Sequence, residues 1–199
     1  MHDSAFNTGR VFFDVYCSGE SLIVADIGSQ DVNGSLRSHA GPNIQQYIGI
    51  DFAEGNGVDV VLTNPYKFPL ENESVDRVVS SSCFEHSELF WMTFLEGMRI
   101  LKPNGVMYIN APAVWDYHGF PTDCWRFYPG AGKALETWAR YNGLNSILLE
   151  TYLMDASEYA KDWVGIYLKD AQYKSQYPVT TLEVLGSTTR IEIKVDQKA

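Results

Sequence analysis

Residues 22–51 constrain this chain more than any other stretch, because they read as a buried strand, a glycine turn, a helix and a second strand ending on a carboxylate. Ser21-Leu22-Ile23-Val24-Ala25 is short, mostly apolar and free of polar alternation, the pattern of a strand covered on both faces of a parallel sheet. Asp26-Ile27-Gly28-Ser29-Gln30 follows at once, and Gly28 permits both a sharp turn and the close approach of a ligand. Asp31, Asn33 and Ser35 then offer caps for a helix. Tyr47-Ile48-Gly49-Ile50 makes the next strand and delivers Asp51 to its end, where nucleotide-binding α/β units hold ribose hydroxyls. A dinucleotide fingerprint requires G-x-G-x-x-G, yet Gln30 stands two positions after Gly28 and the next glycine is Gly34. That spacing argues against a nicotinamide-dependent oxidoreductase, which is kept as the first alternative.

Farther along, residues 57–62 read as a third strand, 63–70 as a proline-broken loop and 75–80 as a fourth strand. Leu89, Phe90, Met92, Phe94, Leu95, Met98, Ile100 and Leu101 mark an amphipathic helix that Lys102-Pro103-Asn104-Gly105 stops, and residues 106–109 form a fifth strand. Residues 110–129 are long for a loop in a compact domain, are dense in Trp, Tyr, His, Asp and Arg, and leave the carboxyl end of a strand, where open α/β sheets bind ligands. A helix over 132–141 and strands over 146–152 and 163–168 follow. Before the first strand, Phe6, Val11, Phe12, Val15 and Tyr16 predict a helix over 6–18 that covers the sheet edge. In the tail, 181–185 and 189–195 flank Gly186-Ser187, and the alternation of Ile191, Ile193 and Val195 predicts a β-hairpin. Such an extension, over 171–199, would cap the pocket, extend the sheet or make a homodimer contact.

The chain's 199 residues suit a single domain spanning 1–199. A net charge of -10 without a Lys/Arg cluster disfavours nucleic acid as partner. No apolar run approaches the roughly 20 residues of a membrane helix. The N-terminus lacks the layout of a signal peptide, so a cytoplasmic protein without a membrane partner is expected. Cys17, Cys83 and Cys124 are odd in number with no C-x-x-C, which points to reduced thiols.

Phe68-Pro69-Leu70, Ser74-Val75-Asp76, Glu85-His86 and Arg99-Ile100-Leu101-Lys102-Pro103-Asn104-Gly105 stand in an order and spacing that resemble the small type 11 methyltransferases. Asp26-Ile27-Gly28 is similar to motif I of the class I S-adenosylmethionine-dependent methyltransferases, with Gln30 where that family usually has a second glycine. The resemblance covers about residues 20–165. It implies a Rossmann-like α/β fold: a seven-stranded, mostly parallel sheet of order 3-2-1-4-5-7-6, its last-placed strand antiparallel, with helices on both faces and a core over about 20–168. It implies S-adenosylmethionine as cofactor and S-adenosylhomocysteine as product. Segments similar to Asp123-Cys124-Trp125-Arg126-Phe127-Tyr128-Pro129 occur in methyltransferases of bacterial surface-glycan and secondary-metabolite pathways. Methyl transfer to a small-molecule or sugar-linked acceptor, at oxygen, is therefore expected, with a non-catalytic S-adenosylmethionine-binding module as the second alternative.

By the same resemblance, Asp26, Gly28, Ser29 and Gln30 hold the methionine moiety and Asp51 the ribose. Asn64 falls where an acid usually binds the adenine amino group, and its amide oxygen can accept that bond. Pro65 lacks the backbone donor that relatives offer the ring, which leaves Tyr66 or a water to take over. Ser80 and Ser81 lie where the fourth strand opens onto the cofactor, and Phe52 either stacks on adenine or packs in the core. Because the sulfonium carries the reactivity, the protein need only align the reactants and exclude water, and a base is optional. His118 and Asp123 are the acid–base candidates, with loop hydrogen bonding as the other reading. His86, beside Glu85, either caps the following helix or joins them. Related quinone O-methyltransferases hold a metal with a Glu and a Glu-His pair, but Ser82 stands at the first of those positions, so no metal is expected. Trp115, Tyr117, Trp125, Arg126 and Tyr128 are expected to wall the acceptor, Trp125 being equally suited to the core and Arg126 to an anionic substituent.

Overall fold

The computed structural model describes residues 2–19, 21–186 and 190–192. Its strands are β1 (Leu22–Ile27), β2 (Ile44–Asp51), β3 (Val60–Val61), β4 (Val75–Ser81), β5 (Leu101–Val114), β6 (Ile147–Asp155), β7 (Lys161–Leu168) and β8 (Arg190–Glu192). They form one sheet of order β3-β2-β1-β4-β5-β7-β6-β8. β7 runs antiparallel to both β5 and β6, while the pairs from β3 to β5 are parallel. This is the expected seven-stranded order with one strand added at its edge.

Side chains alternate between the two faces. Ala25, Val78, Met107 and Ile109 join one apolar core, beneath α2 (Phe90–Ile100) and α3 (Gly130–Tyr141). Val24, Val79, Val106 and Tyr108 join the other, beneath α1 (Asp3–Tyr16). Phe12 and Tyr16 of α1 stand one helical turn apart, and the Phe12 ring lies 4.9 Å from that of Tyr108 on β5. The N-terminal helix thus covers the middle of a sheet face rather than its edge, because its apolar stripe is wide enough to roof several strands.

Two further differences shape the site. No α-helix follows Gly28; a 3-10 turn, Leu36–His39, leads to β2 instead, with Ser35 accepting a hydrogen bond from the Arg37 N–H at its start. Between Asp31 and Asn43 the large apolar residues are Val32 and Leu36, with Gly34, Gly41 and Pro42 interspersed, too few for a helical stripe. The Lys102-Pro103-Asn104-Gly105 stop lies inside β5, absorbed by a register shift between Val75 and Arg77 of β4.

In the tail, Thr181–Leu185 is a short helix, α4, rather than half of a hairpin. Thr180 and Glu183 close a capping box at its start, and that local bonding outweighs the β-branched composition. Buried Glu150 of β6 accepts hydrogen bonds from Tyr16 Oη (2.6 Å), from Thr181 N–H and Oγ1 (2.9 and 2.8 Å) and from Leu182 N–H (2.9 Å), tying α1 and α4 to the sheet. β8 pairs antiparallel with β6 and extends the sheet. Residues 187–189 and 193–199, which hold the rest of the expected hairpin, lie outside the described residues. No described helix is long and apolar enough to cross a membrane.

Candidate active site

A cavity of about 680 Å³ opens at the carboxyl ends of β1, β2 and β4, where the strand order reverses. Gly28 turns the chain there with φ of +78°, and a Cβ at this position would stand 2.6 Å from Cys83 Sγ and closer still to its Cβ. The turn's amides are already engaged: Gly28 and Ser29 N–H donate to Ile50 O, Gln30 N–H to Asp51 Oδ2 (3.0 Å) and Asp31 N–H to Asn56 O. Asp51 also accepts from Phe52 N–H at 2.7 Å. Buried Asp26 accepts from Tyr47 Oη at 2.7 Å, and burial pushes its pKa up to about 7. Among the described lining residues there is no Lys or Arg. A pyrophosphate would therefore meet the acidic side chains of Asp26, Asp51 and Glu88 and no Lys or Arg, whereas a cationic ligand is well matched. Val32, Phe52 and Leu62 supply an apolar wall.

Opposite stands the loop between β5 and α3. Glu85 O accepts from Cys124 N–H (2.8 Å) and Trp125 N–H (3.1 Å), and Trp125 Nε1 donates to Ser87 O (3.0 Å). These bonds clamp the loop over the turn after β4. Trp115, His118, Phe120 and His86 thereby line the same cavity as Asp26 and Asp51. The His86 and His118 rings are perpendicular, with centroids 5.1 Å apart. Asp123 stands behind His118, accepting its backbone N–H at 2.7 Å, and is gripped by Arg126 through contacts of 2.5 and 2.6 Å. That guanidinium holds the Asp123 carboxyl far below the usual range. The adjacent Glu85 is the opposite case, pushed up to about 8 by burial.

The family described as "Methyltransferase domain", type 11, matches residues 25–109. The protein is an S-adenosylmethionine-dependent methyltransferase, similar to that family over those residues. No curated protein matches the chain. Among solved structures, a Burkholderia thailandensis 1,6-didemethyltoxoflavin-N1-methyltransferase, bound to 1,6-didemethyltoxoflavin and S-adenosylhomocysteine, is similar with a TM-score of 0.63 at 12% identity, over 84% of this chain and 80% of that one. The Bacillus subtilis YcgJ protein is similar with a TM-score of 0.62 at 12% identity, over 82% and 98%. The [4+2]-cyclase SpnF is similar with a TM-score of 0.60 at 13% identity, over 83% and 81%. At such identities the likeness is one of fold, and a cyclase among these structures shows that the fold alone does not select the reaction.

The methyltransferase cavity fits its cofactor. S-adenosylmethionine carries an ammonium and a sulfonium, which suit Asp26 and Asp51 in a lining without basic side chains. Ser29 lines the cavity with a buried hydroxyl that has no protein partner, leaving it available to a ligand. Bound there, the cofactor would supply an electrophilic methyl group.

Of the expected cofactor residues, Asp26, Gly28, Ser29, Gln30, Asp51, Phe52, Pro65, Tyr66 and Ser81 come together in the cavity. Phe52 is 55% exposed there and so is not a core residue. Asn64 lies outside it, exposed, with Oδ1 accepting the Tyr66 N–H at 2.9 Å. The two-residue β3 ends before Asn64, and the turn swings Leu62, Pro65 and Tyr66 inward instead. Ser80 is buried in the sheet with its hydroxyl on Ile27 O at 2.8 Å. Of the residues expected around the acceptor, Trp115, His86 and His118 line the cavity, whereas Asp123 and Arg126 brace the loop from behind. Tyr117 and Tyr128 are 80% and 60% exposed and do not line it, and Trp125 packs edge-on against Phe90 and Trp91. Not foreseen from the sequence are Cys83, which packs against Gly28, and His2, whose ring lies 4.2 Å from that of Trp115. His2 lines the cavity only because α1 docks across the sheet, and no sequence signal marks it.

Proposed function

We propose that the methyltransferase methylates an oxygen of a small-molecule or sugar-linked acceptor that lies between His86 and the loop bearing Trp115, His118 and Phe120. The observation that carries this reading is the continuity of one cavity, with carboxylates and apolar side chains on one side and imidazoles and aromatic rings on the other. A cavity of about 680 Å³ is within the range of small-ligand sites, which favours a compact acceptor over a polymer. His118 and His86 face the acceptor, and Asp123 holds His118 in place as a permanent carboxylate rather than as the base itself. The likeness of residues 123–129 to surface-glycan and secondary-metabolite methyltransferases supports a place in such a cytoplasmic pathway.

The test compares the parent with His118→Ala for S-adenosylhomocysteine affinity by calorimetry and for turnover on a panel of hydroxylated sugars and phenols. Cofactor affinity should hold while kcat falls by roughly a hundredfold or more. Equal losses in both would place His118 on the cofactor side. Turnover of amines in preference to every alcohol would overturn the choice of oxygen.

A further inference from the structure

We propose that Glu85, His86 and His118 form a site for one divalent transition-metal ion at the acceptor end of the cavity. One carboxylate oxygen of Glu85 and one ring nitrogen of each histidine all lie within 4.8 Å of one another. Metal bonds of about 2.0–2.2 Å place the donors around one ion no more than roughly 4.3 Å apart, so small side-chain rotations close the set.

The hydrogen bonds around the rings leave the right atoms exposed. His86 Nδ1 faces Thr122 O and His118 Nδ1 faces Asp116 O, the latter at 3.0 Å. A carbonyl oxygen can only accept, so the proton of each neutral ring sits on Nδ1 and the Nε2 lone pair is free. Metal-bound histidines are oriented in this way, by donating the other ring N–H to a backbone carbonyl or carboxylate. Asp123 Oδ2 adds a carboxylate 3.5 Å behind His118 Nδ1, itself fixed by Arg126.

The third donor already faces one of the histidines, with Glu85 Oε1 3.7 Å from His86 Nε2. Glu85 is 1% exposed, and its Oε2 is buried without a hydrogen-bond partner, an arrangement that costs stability unless a cation or donor satisfies it. Two imidazoles and one carboxylate select Zn²⁺, Fe²⁺ or Co²⁺ over Mg²⁺ and Ca²⁺, which prefer all-oxygen shells. With three protein ligands, coordination positions stay open, and His86 and His118 line the cavity from which an acceptor would reach them. The expectation of no metal rested on Ser82; the pocket loop supplies His118 as the third ligand instead.

This inference rests on the proposed methylation of oxygen and deepens it. An acceptor hydroxyl bound to the ion is acidified, its proton passes to water, and the oxygen is held in place, so neither histidine need act as the base.

The 199-residue chain is titrated with Co²⁺, followed by calorimetry and by the visible absorption of histidine-bound cobalt, and each sample is then titrated with S-adenosylhomocysteine. One ion per chain should bind. Glu85→Gln and His118→Ala should each weaken it at least tenfold, since even partners behind the ligands are worth 10- to 100-fold. His39→Ala, outside the cavity, should change nothing, and excess Mg²⁺ or Ca²⁺ should not displace cobalt. Retained S-adenosylhomocysteine binding shows that each variant is folded. A chain that binds S-adenosylhomocysteine but not cobalt, or whose cobalt binding survives both substitutions, overturns the metal site alone. A chain that binds neither overturns the functional reading with it.

Discussion

Gly28→Ala tests the turn after β1 at its tightest point. Two costs add. The residue sits at φ of +78°, a left-handed conformation that costs an L side chain about 1–2 kcal/mol. The new methyl group would also stand 2.6 Å from Cys83 Sγ and closer still to its Cβ, an overpacking that costs about 1–3 kcal/mol. Together these predict a loss of about 2–5 kcal/mol, or roughly 4–20 °C in Tm for a chain of this size. Thermal unfolding by circular dichroism measures the first effect, and calorimetry with S-adenosylhomocysteine measures the distortion of the turn. The double variant Gly28→Ala/Cys83→Gly removes the packing clash and leaves the backbone cost, so it should be more stable than the sum of the single losses. Strict additivity would refute the contact as the cause, and a Gly28→Ala chain with parental Tm and affinity would refute both causes.

Two further outcomes follow from buried carboxylates. Asp26 is pushed up to about 7 by burial, above its unfolded value near 3.9, so its favourable contribution is complete below about pH 4 and is lost as pH rises through about 7. Asp26→Asn should therefore gain stability relative to the parent between pH 5 and 8.5, on the order of 2 kcal/mol, and a gap in Tm that stays constant with pH would refute this. Glu150→Gln keeps one acceptor oxygen for the donors of Tyr16, Thr181 and Leu182. Leaving at least one buried donor unpaired should cost about 2–4 kcal/mol in denaturant unfolding with cofactor affinity unchanged, and an unchanged midpoint would show that the network contributes little.

What the sequence determined by itself is what short-range chemistry encodes. The apolar runs at residues 22–27 and 75–81, the glycine at 28 and the carboxylate at 51 specify strands, a turn and an acid at a strand's end through local periodicity and backbone freedom; the structure puts the strands in one sheet, with Gly28 and Asp51 lining one cavity. Tertiary structure decided what depends on competition between distant partners. Leu36 of the 3-10 turn packs in one core with Phe12 and Phe13 of α1, and Thr181–Leu185 became helical through its capping box and its bonds to Glu150. Asn64 left the cavity because its strand ended early. Glu85, His86 and His118 were each visible in the sequence, but their meeting was not: the loop is brought to them by the Cys124 and Trp125 amides on Glu85 O, and backbone bonds carry no residue-type signature.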